Sequence, residues 1–283
     1  MKTRSSELRL RLKAGVIGLC MASFLGAGSL SFAGHSSERT LSVGGTEVVQ
    51  PGEGAHEVEV SVKALLAPSQ GYEEKNNIQA VLYGVLPNSC YSLGRAHVEQ
   101  NDSNPTLIIR QYAIKQTTGM CADEAQLSGH FRLSVPFTNE VFIGNLPAGD
   151  YQLVYNPGQV AEGARLLNVA TNQVPLGDTL PYALVSQISA PDILNGKDEL
   201  EVTLSGILNS SCTRLDPEVK ILNQGDVLVL MPTISVVPGV MCIQVLKPFE
   251  KTIQLGKLKS GIHLIHTRSM NGKAINKVVQ VSR

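Results

Sequence analysis

The sequence contains no tryptophan, and aromatic residues make up only 5% of its 283 positions. It also lacks a long stretch in which apolar residues recur every three or four positions, the pattern of amphipathic helices. Acidic and basic residues are equal in number, at 24 each. The excess of positive charge that nucleic-acid-binding proteins carry is therefore missing, and we do not expect nucleic acid as a partner.

The N-terminal segment has the order of a secretory signal peptide. Residues 1–13 carry five basic residues and one acid, residues 14–30 are uncharged, and Ser31-Phe32-Ala33 supplies small residues for a cleavage site. We predict a signal peptide over residues 1–33 and no membrane span after its removal. Two alternatives stay open. One is an uncleaved anchor, for which the apolar stretch is short and rich in glycine. The other is lipidation of Cys20, which has no small residue before it.

Export has consequences for the charge and for the cysteines. Removal of residues 1–33 takes away five basic residues and one acid and leaves a net charge of about −4. The cysteines that remain are Cys90, Cys121, Cys212 and Cys242. An even number of cysteines in an exported chain is typical of disulfide bonds in an oxidising compartment. The predicted location is therefore periplasmic or secreted.

Short stretches of alternating apolar and polar residues predict β-strands. Val58, Val60 and Val62 alternate with polar residues, and residues 200–205 repeat the pattern. A period of two with one apolar face is typical of a strand that is buried on one side. Clusters of Gly, Asn and Pro separate these stretches, and many short strands at regular spacing favour a sandwich or a barrel.

An internal repeat decides the domain organisation. Residues 82–93, around Cys90, match residues 204–215, around Cys212. The matches continue in the same order with Met120-Cys121, Pro136-Phe137, Gly144, Leu146 and Gly149 in the first half and Met241-Cys242, Pro248-Phe249, Gly256, Leu258 and Gly261 in the second. We therefore predict two β-sandwich domains, residues 34–175 (copy one) and residues 176–283 (copy two). The join at residues 171–181 contains two prolines and is predicted to be a short, stiff linker.

The repeat also selects one of the three pairings that four cysteines allow. We predict Cys90–Cys121 and Cys212–Cys242, because a bond within each copy gives matching cysteines the same surroundings. In the chain-entropy model, closing a loop of about 30 residues stabilises the folded state by roughly 3–4 kcal/mol. We expect these sulfur atoms to have a structural role only.

Copy one carries four motifs in order: Leu86-Pro-Asn-Ser-Cys90, Cys121, Pro136-Phe137 and Leu146-Pro-Ala-Gly-Asp-Tyr151. This series resembles an uncharacterised bacterial extracytoplasmic module with an immunoglobulin-like β-sandwich fold. The resemblance covers about residues 78–155 and 200–267. It implies an all-β chain with two tandem immunoglobulin-like antiparallel β-sandwich domains after the signal peptide. It carries no catalytic residue.

Tyr151 stands at the start of an alternating strand that follows a turn. In many sandwiches such a tyrosine forms a corner, in which its hydroxyl group binds the backbone a few residues upstream. We expect this arrangement for Tyr151. His263 takes the same place in copy two, where the corner would be absent or remade.

Motifs for catalysis, cofactors and metals are missing. The sequence has no G-x-S-x-G, no C-x-x-C and no glycine-rich phosphate loop. His263 and His266 would point to opposite faces of a strand and could not share an ion, so we expect exposed or half-buried histidines. The polar turns at residues 71–74 and 101–104 lack the acid spacing of a calcium loop. We predict no enzymatic activity, no cofactor and no metal site.

Two classes of function remain. The first is a non-catalytic binding or structural protein of the bacterial cell envelope, which serves in adhesion, as a scaffold or in capture of an extracytoplasmic protein or glycan. The second is a protease inhibitor or chaperone-like protein that grips its target through a loop or an edge strand.

One segment of copy one is a candidate contact surface. The distance from Cys121 to Pro136 is fifteen residues, whereas the distance from Cys242 to Pro248 is six. A polar insertion in one copy of a duplicated domain offers a surface that the other copy lacks. We therefore predict partner contacts in this segment, by Asp123, Glu124, Gln126 and His130. The alternative that stays open is a longer hairpin with no role in binding.

Overall fold

The structure is a computed structural model and describes residues 54–74, 76–100, 104–171 and 180–283. The predicted signal peptide with Cys20, residues 101–103 of one polar turn and most of the predicted linker lie outside the described residues. The predicted boundary between residues 175 and 176 lies there too, and it stays a prediction.

The described residues form nineteen strands and four short 3-10 turns. The strands of copy one are β1 (Ala55–Val60), β2 (Val62–Leu66), β3 (Tyr72–Glu73), β4 (Ile78–Leu86), β5 (Tyr91–Gln100), β6 (Thr106–Gln116), β7 (Val135–Gly144), β8 (Gly149–Tyr155) and β9 (Gly163–Ala170). Those of copy two are β10 (Leu184–Ser189), β11 (Ile193–Asn195), β12 (Leu200–Ser210), β13 (Thr213–Leu215), β14 (Lys220–Asn223), β15 (Val227–Met231), β16 (Ile234–Val236), β17 (Gln244–Gly256), β18 (Gly261–Ser269) and β19 (Lys273–Ser282). The 3-10 turns are Gly119–Cys121, Glu124–Gln126, Gly129–Arg132 and Met270–Gly272.

Each copy is built from two main sheets. In copy one, β1-β6-β8-β9-β3, with β5 added to β6, forms one sheet, and β2-β4-β7 forms the other. In copy two, β11-β19-β18-β15-β14 and β10-β12-β17 take the same places, and β13 pairs with β16. The predicted all-β sandwich fold is confirmed.

Both copies contain two parallel strand pairs. β6 pairs with β8 and β3 with β9 in copy one, while β15 pairs with β18 and β11 with β19 in copy two. Between β6 and β8 the chain passes through β7 in the other sheet, so it reverses direction twice and returns parallel. β17 has the same place between β15 and β18. The expected antiparallel pairing therefore holds for the other strand pairs only.

Each copy has its own apolar core. Leu82, Ile109 and Leu153 are among the fully buried side chains in copy one. Val202 and Leu204, which the alternation in β12 placed on one face, are fully buried in copy two. The alternating pattern in the sequence therefore identified the inner face of this strand correctly.

A third apolar cluster joins the two copies. Leu66 and Val81 of copy one pack with Val229 and Leu264 of copy two. Because this contact covers the outer face of β15, all five residues of β15, Val227–Met231, are buried. An uninterrupted apolar run is typical of a strand that is covered on both faces.

Arg165 strengthens the contact between the copies. Its Nη1 and Nη2 atoms each donate a hydrogen bond of 2.9 Å to the carboxylate of Asp226, and its Nε atom donates to the Ala67 carbonyl oxygen over 2.6 Å. The planar guanidinium group matches the carboxylate with two parallel hydrogen bonds. This geometry fixes one orientation of the two side chains.

The disulfide bonds are Cys90–Cys121 and Cys212–Cys242, as predicted, with Cα–Cα distances of 5.6 and 5.4 Å. In each copy the bond connects the turn after β4 or β12 with the segment that leads into β7 or β17. We call this region the disulfide end of each copy. It is where the two copies differ most in length and in composition.

Candidate functional site

A glycine and a phenylalanine that recur in the repeat face each other across neighbouring strands. Gly84 pairs with Phe137, and Gly206 pairs with Phe249. A Cβ atom on Gly84 would lie 2.4 Å from Cζ of Phe137, and one on Gly206 would lie 2.7 Å from the Phe249 ring. The phenylalanine ring therefore occupies the space that a side chain would need, and this part of the repeat serves the packing of the fold.

The predicted tyrosine corner is present in copy one and is remade in copy two. The Tyr151 hydroxyl donates a hydrogen bond of 2.9 Å to the Pro147 carbonyl oxygen. Nε2 of His263 lies 2.7 Å from the Lys259 carbonyl oxygen, four residues upstream as in copy one. A carbonyl oxygen can only accept, so Nε2 carries the proton. Nδ1 of His263 has no hydrogen-bond partner among the described residues.

The histidines of copy two differ from the expectation of exposed or half-buried side chains. His263 and His266 are both buried, so that prediction was wrong. They do lie on opposite faces of β18, since His263 binds the Lys259 carbonyl while His266 contacts the Tyr72 ring of copy one. The outer face of β18 is buried because copy one packs against it, and the sequence pattern within one strand cannot show such a contact.

His266 belongs to a buried polar network between the copies. Its Nδ1 atom lies 2.8 Å from Oδ1 of Asn276, and Nδ2 of Asn276 donates to Oε1 of Gln79 over 3.2 Å. Burial lowers the pKa of His266 to about 4, and the nearby Arg268 guanidinium adds to this effect. Burial also raises the pKa of the Tyr72 phenol to about 12. This network connects the two copies, and both rings stay uncharged near neutral pH.

A cleft of about 180 Å³ lies beside this network and is lined by Glu73, Tyr182 and Arg268, among others. Arg268 already donates to the Gly71 carbonyl oxygen and lies over the Tyr72 ring, with 5.2 Å from its Cζ atom to the ring centroid. The cleft is smaller than typical small-molecule sites, which enclose about 300–1,000 Å³. We therefore interpret Arg268 as a residue that joins the two copies and not as part of a ligand site.

The predicted contact segment of copy one lies within residues 117–134, which we call the copy-one loop. The Asp123 carboxylate accepts hydrogen bonds from the Ala125 amide over 3.0 Å and from the Gln126 side chain over 2.8 Å. Leu127 is buried beneath the loop. The loop is therefore folded on itself and anchored to the sandwich.

Glu124 is held by three groups of the sandwich. Nζ of Lys115 lies 2.5 Å from Oε1, Nδ2 of Asn88 donates to Oε2 over 2.9 Å, and the Tyr91 hydroxyl lies 3.4 Å from Oε1. The hydrogen bond from Lys115 lowers the pKa of the Glu124 carboxyl group, and that from Asn88 adds to it. Glu124 thus anchors the loop.

The other three predicted contact residues, Asp123, Gln126 and His130, are exposed. The His130 ring lies against the Phe131 ring with 4.1 Å between centroids. The structure brings the four predicted residues together in one loop and gives two of them, Asp123 and Glu124, a local structural task. Contact with a partner stays a prediction.

The disulfide end of copy two has a different surface, which the sequence reading missed. Residues Val236–Leu246, which we call the apolar loop, are all exposed. Seven of these eleven residues are large and apolar: Val236, Val237, Val240, Met241, Ile243, Val245 and Leu246. Met241 is 93% exposed and Leu246 is 73% exposed. Soluble proteins rarely leave so many neighbouring apolar side chains in water without a function.

The apolar loop contains no charged residue. The charged residues that border it in the strand pairs are Arg214, which faces Ser235, and Lys247, which faces Leu208. The Cys212–Cys242 bond and the hydrogen bonds between Ser211 and Ile243 fix the loop to the end of β12. This surface is therefore apolar, bordered by cations and held in place.

The matching region of copy one is less apolar and carries acids. Its exposed large apolar residues are Met120, Leu133 and Val135, and the acids Asp123 and Glu124 lie between them in sequence. Met120 corresponds to Met241 in the repeat and is 67% exposed. The sequence signal for this difference is the near absence of polar residues from Val236 to Leu246.

None of the helical segments that the structure describes is long and apolar enough to cross a membrane. Within the same residues, no group of three or more His, Cys, Asp or Glu side chains could hold a metal ion.

The fold and its surfaces define a β-sandwich protein with two similar, disulfide-bonded copies. A family model described as the ORF11 beta-sandwich domain matches residues 202–281. The match spans β12 to β19 in copy two and shows a β-sandwich there. Comparison with curated proteins and with solved structures gives no match.

Proposed function

We propose that this chain is an exported, non-catalytic binding protein of the bacterial cell envelope, periplasmic or secreted, and that the apolar loop is its main contact surface. The exposure of seven large apolar side chains within Val236–Leu246 carries this proposal. Burying such side chains against a partner removes apolar area from water, which is the main favourable contribution to association.

The structural tasks of the repeated residues support a binding role. The Gly84–Phe137 pair, the Tyr151 corner and the disulfide bonds hold the sandwiches together. Such a rigid frame presents loops at its ends, and loops on rigid frames commonly carry binding functions. We extend the proposal to an immunoglobulin-like identity of both copies and to a secondary contact through the copy-one loop.

Capture of an extended peptide, as in an inhibitor or a chaperone-like protein, would use an edge strand. β17 lies at the edge of its sheet and is thirteen residues long. However, Lys247, Pro248 and Lys251 lie along it, and proline and lysine are the residues with which proteins block pairing at edge strands. This composition favours the apolar loop over the edge of β17 as the contact surface.

The test is a capture experiment from envelope extract with two variants. The double variant Met241→Glu/Leu246→Glu places two charges in the apolar loop. The matched control, Met120→Glu, places a charge at the corresponding position of copy one. We expect the double variant to lose the envelope component that the wild type and the control retain.

Equal capture by all three proteins would contradict a contact at the apolar loop. Because the substituted side chains are exposed, all three should keep the same far-UV circular dichroism spectrum and both disulfide bonds. To test the copy-one loop, His130→Ala and Gln126→Ala are preferable to its deletion. Deletion would also remove the anchor Glu124 and the buried Leu127.

A further inference from the structure

We infer that the apolar loop docks on an anionic lipid surface, an inference that rests on the proposed binding role of the same loop. The chemistry of its side chains is the first reason. The exposed large residues of Val236–Leu246 are all aliphatic or methionine. Protein interfaces are enriched at their centres in aromatic residues, arginine and methionine, and of these the loop contains only Met241.

The charges around the loop are the second reason. Arg214 is exposed and Lys247 is half-buried, and they face Ser235 and Leu208 at the two borders of the loop. Apolar side chains that enter the acyl region, with basic residues at the level of the headgroups, are the arrangement of peripheral membrane-binding segments. The negative net charge of the whole exported chain matters less, because distant charges are screened beyond about 10 Å at moderate salt.

The accessibility of the loop is the third reason. Every residue from Ser235 to Leu246 is exposed, whereas two clefts of the described residues lie elsewhere, between the copies, and are lined by Tyr182 and Arg268. Side chains that all point into solvent do not by themselves enclose a peptide or a small ligand. The loop can enter a soft apolar phase without a complementary pocket on the other side.

The same charges argue against a second copy as the occupant. A twofold dimer places the same patch on both sides of the interface. Such an interface would collect Arg214 and Lys247 of both chains around one patch, and the apolar loop contains no acid to pair with them. An anionic surface avoids this repulsion.

The covalent and hydrogen-bonded attachment of the loop lowers the entropic cost of docking. The Cys212–Cys242 bond and the backbone hydrogen bond from Val237 to Cys212 hold the loop at Cys242 and at Val237. A loop that is ordered before contact loses less conformational freedom on binding. Reduction of this disulfide should therefore weaken docking even where the sandwich stays folded.

The test uses the exported form of the chain, with its N-terminus first read by mass spectrometry, so that an attached apolar leader or acyl group is recognised. Sedimentation is measured with vesicles of phosphatidylcholine alone and with vesicles that also contain phosphatidylglycerol. We expect binding that is stronger to the anionic vesicles. Met241→Glu/Leu246→Glu should weaken it by at least about tenfold, whereas Met120→Glu should bind like the wild type.

The cations are tested by Arg214→Gln/Lys247→Gln. This variant should lose most of the preference for anionic vesicles, by about fivefold for each charge removed, and keep its binding to neutral ones. Wild-type protein that sediments with neither kind of vesicle would overturn the lipid inference. If Met241→Glu/Leu246→Glu still loses an envelope protein in the capture experiment, the proposed binding function stands without it.

Two further outcomes also overturn the lipid inference. One is a concentration-dependent dimer in sedimentation velocity that Met241→Glu/Leu246→Glu abolishes, because it identifies a second copy as the occupant. The other is vesicle binding that Met120→Glu weakens as much as the double variant does, because it shows no preference for copy two. Unchanged capture together with absent vesicle binding would remove both the lipid inference and the proposed function.

Discussion

At the corner position, the two copies meet the same hydrogen-bonding need with different side chains. Tyr151 uses a phenol and His263 an imidazole, and each reaches the carbonyl oxygen four residues upstream. Both are buried. In both copies a ring therefore places a hydrogen-bond donor at this carbonyl oxygen, although the two rings differ in chemistry.

Tyr151→Phe should lower the free energy of unfolding by about 1 kcal/mol, because it leaves the Pro147 carbonyl oxygen without this donor. Urea unfolding at neutral pH measures the change. Tyr83→Phe is the matched control, since its hydroxyl makes an exposed hydrogen bond of 3.2 Å to Gln280. Equal loss in the two variants would contradict a specific role for the corner.

The buried His266 predicts a pH dependence of stability. Its pKa is about 4 in the folded chain, against an ordinary value of 6.5. Between these values the unfolded chain binds more protons, so the free energy of unfolding falls as the pH is lowered from about 6.5 to about 4. The loss amounts to about 3 kcal/mol when complete. His266→Gln should remove this part of the dependence, and urea unfolding at pH 7 and pH 4.5 measures it.

His56→Gln, which replaces an exposed histidine of copy one, is measured in parallel as the control substitution. Burial raises the pKa of the Glu140 carboxyl group, which acts in the opposite direction. The quantity to compare is therefore the change in the free energy of unfolding between the two pH values, in His266→Gln and in the wild type. A wild-type slope that persists in His266→Gln would contradict a buried, neutral histidine.

At the scale of strands, the Gly84–Phe137 pair fixes the approach of β4 and β7. Gly84→Ala should lower the free energy of unfolding by about 1–3 kcal/mol, because its Cβ atom would overlap the Phe137 ring. In a Phe137→Leu background the same change should cost less. A double-mutant cycle measured by urea unfolding gives this coupling, and a coupling of zero would contradict the proposed contact.

The sequence pattern predicted the strands, the repeat and the disulfide pairing, because these depend on local alternation and on matched spacing. It did not predict the burial of His266 or the burial of both faces of Val227–Met231, since both depend on the packing of copy one against copy two. The unbroken apolar run of β15 was the available sign. The parallel pairing of β6 with β8 depends on the crossing through β7, and strand patterns do not contain that information.

The candidate site was predicted only in part. The length difference between the copies drew attention to the disulfide end of copy one, where the copy-one loop is folded and largely polar; contact through this loop stays a prediction. The apolar loop was overlooked because a short apolar segment has the same sequence pattern whether it is covered or exposed, and only the structure shows that these residues are exposed. The side of a short apolar segment that faces the core cannot be read without its neighbours in space.

For the whole molecule, the shared cluster and the Arg165–Asp226 ion pair predict that the two copies unfold together. Asp226→Asn should destabilise this contact by about 1 kcal/mol, since the pair is partly exposed to solvent. Scanning calorimetry should show one transition for the wild type and a lower midpoint for Asp226→Asn. Arg95→Gln, which removes an ion pair with Glu57 inside copy one, is the control. Two separate wild-type transitions would contradict a joint unit.

The central claim is that the apolar loop of copy two is the main contact surface for a partner in the cell envelope and that Met120, at the matching position of copy one, lies outside that main surface. A photoreactive amino acid in place of Met241, and separately in place of Met120, tests this in living cells of the native host. We predict a crosslinked product, to lipid or to an envelope component, from position 241 and little or none from position 120. Equal products from both positions, or none from position 241, would contradict the claim.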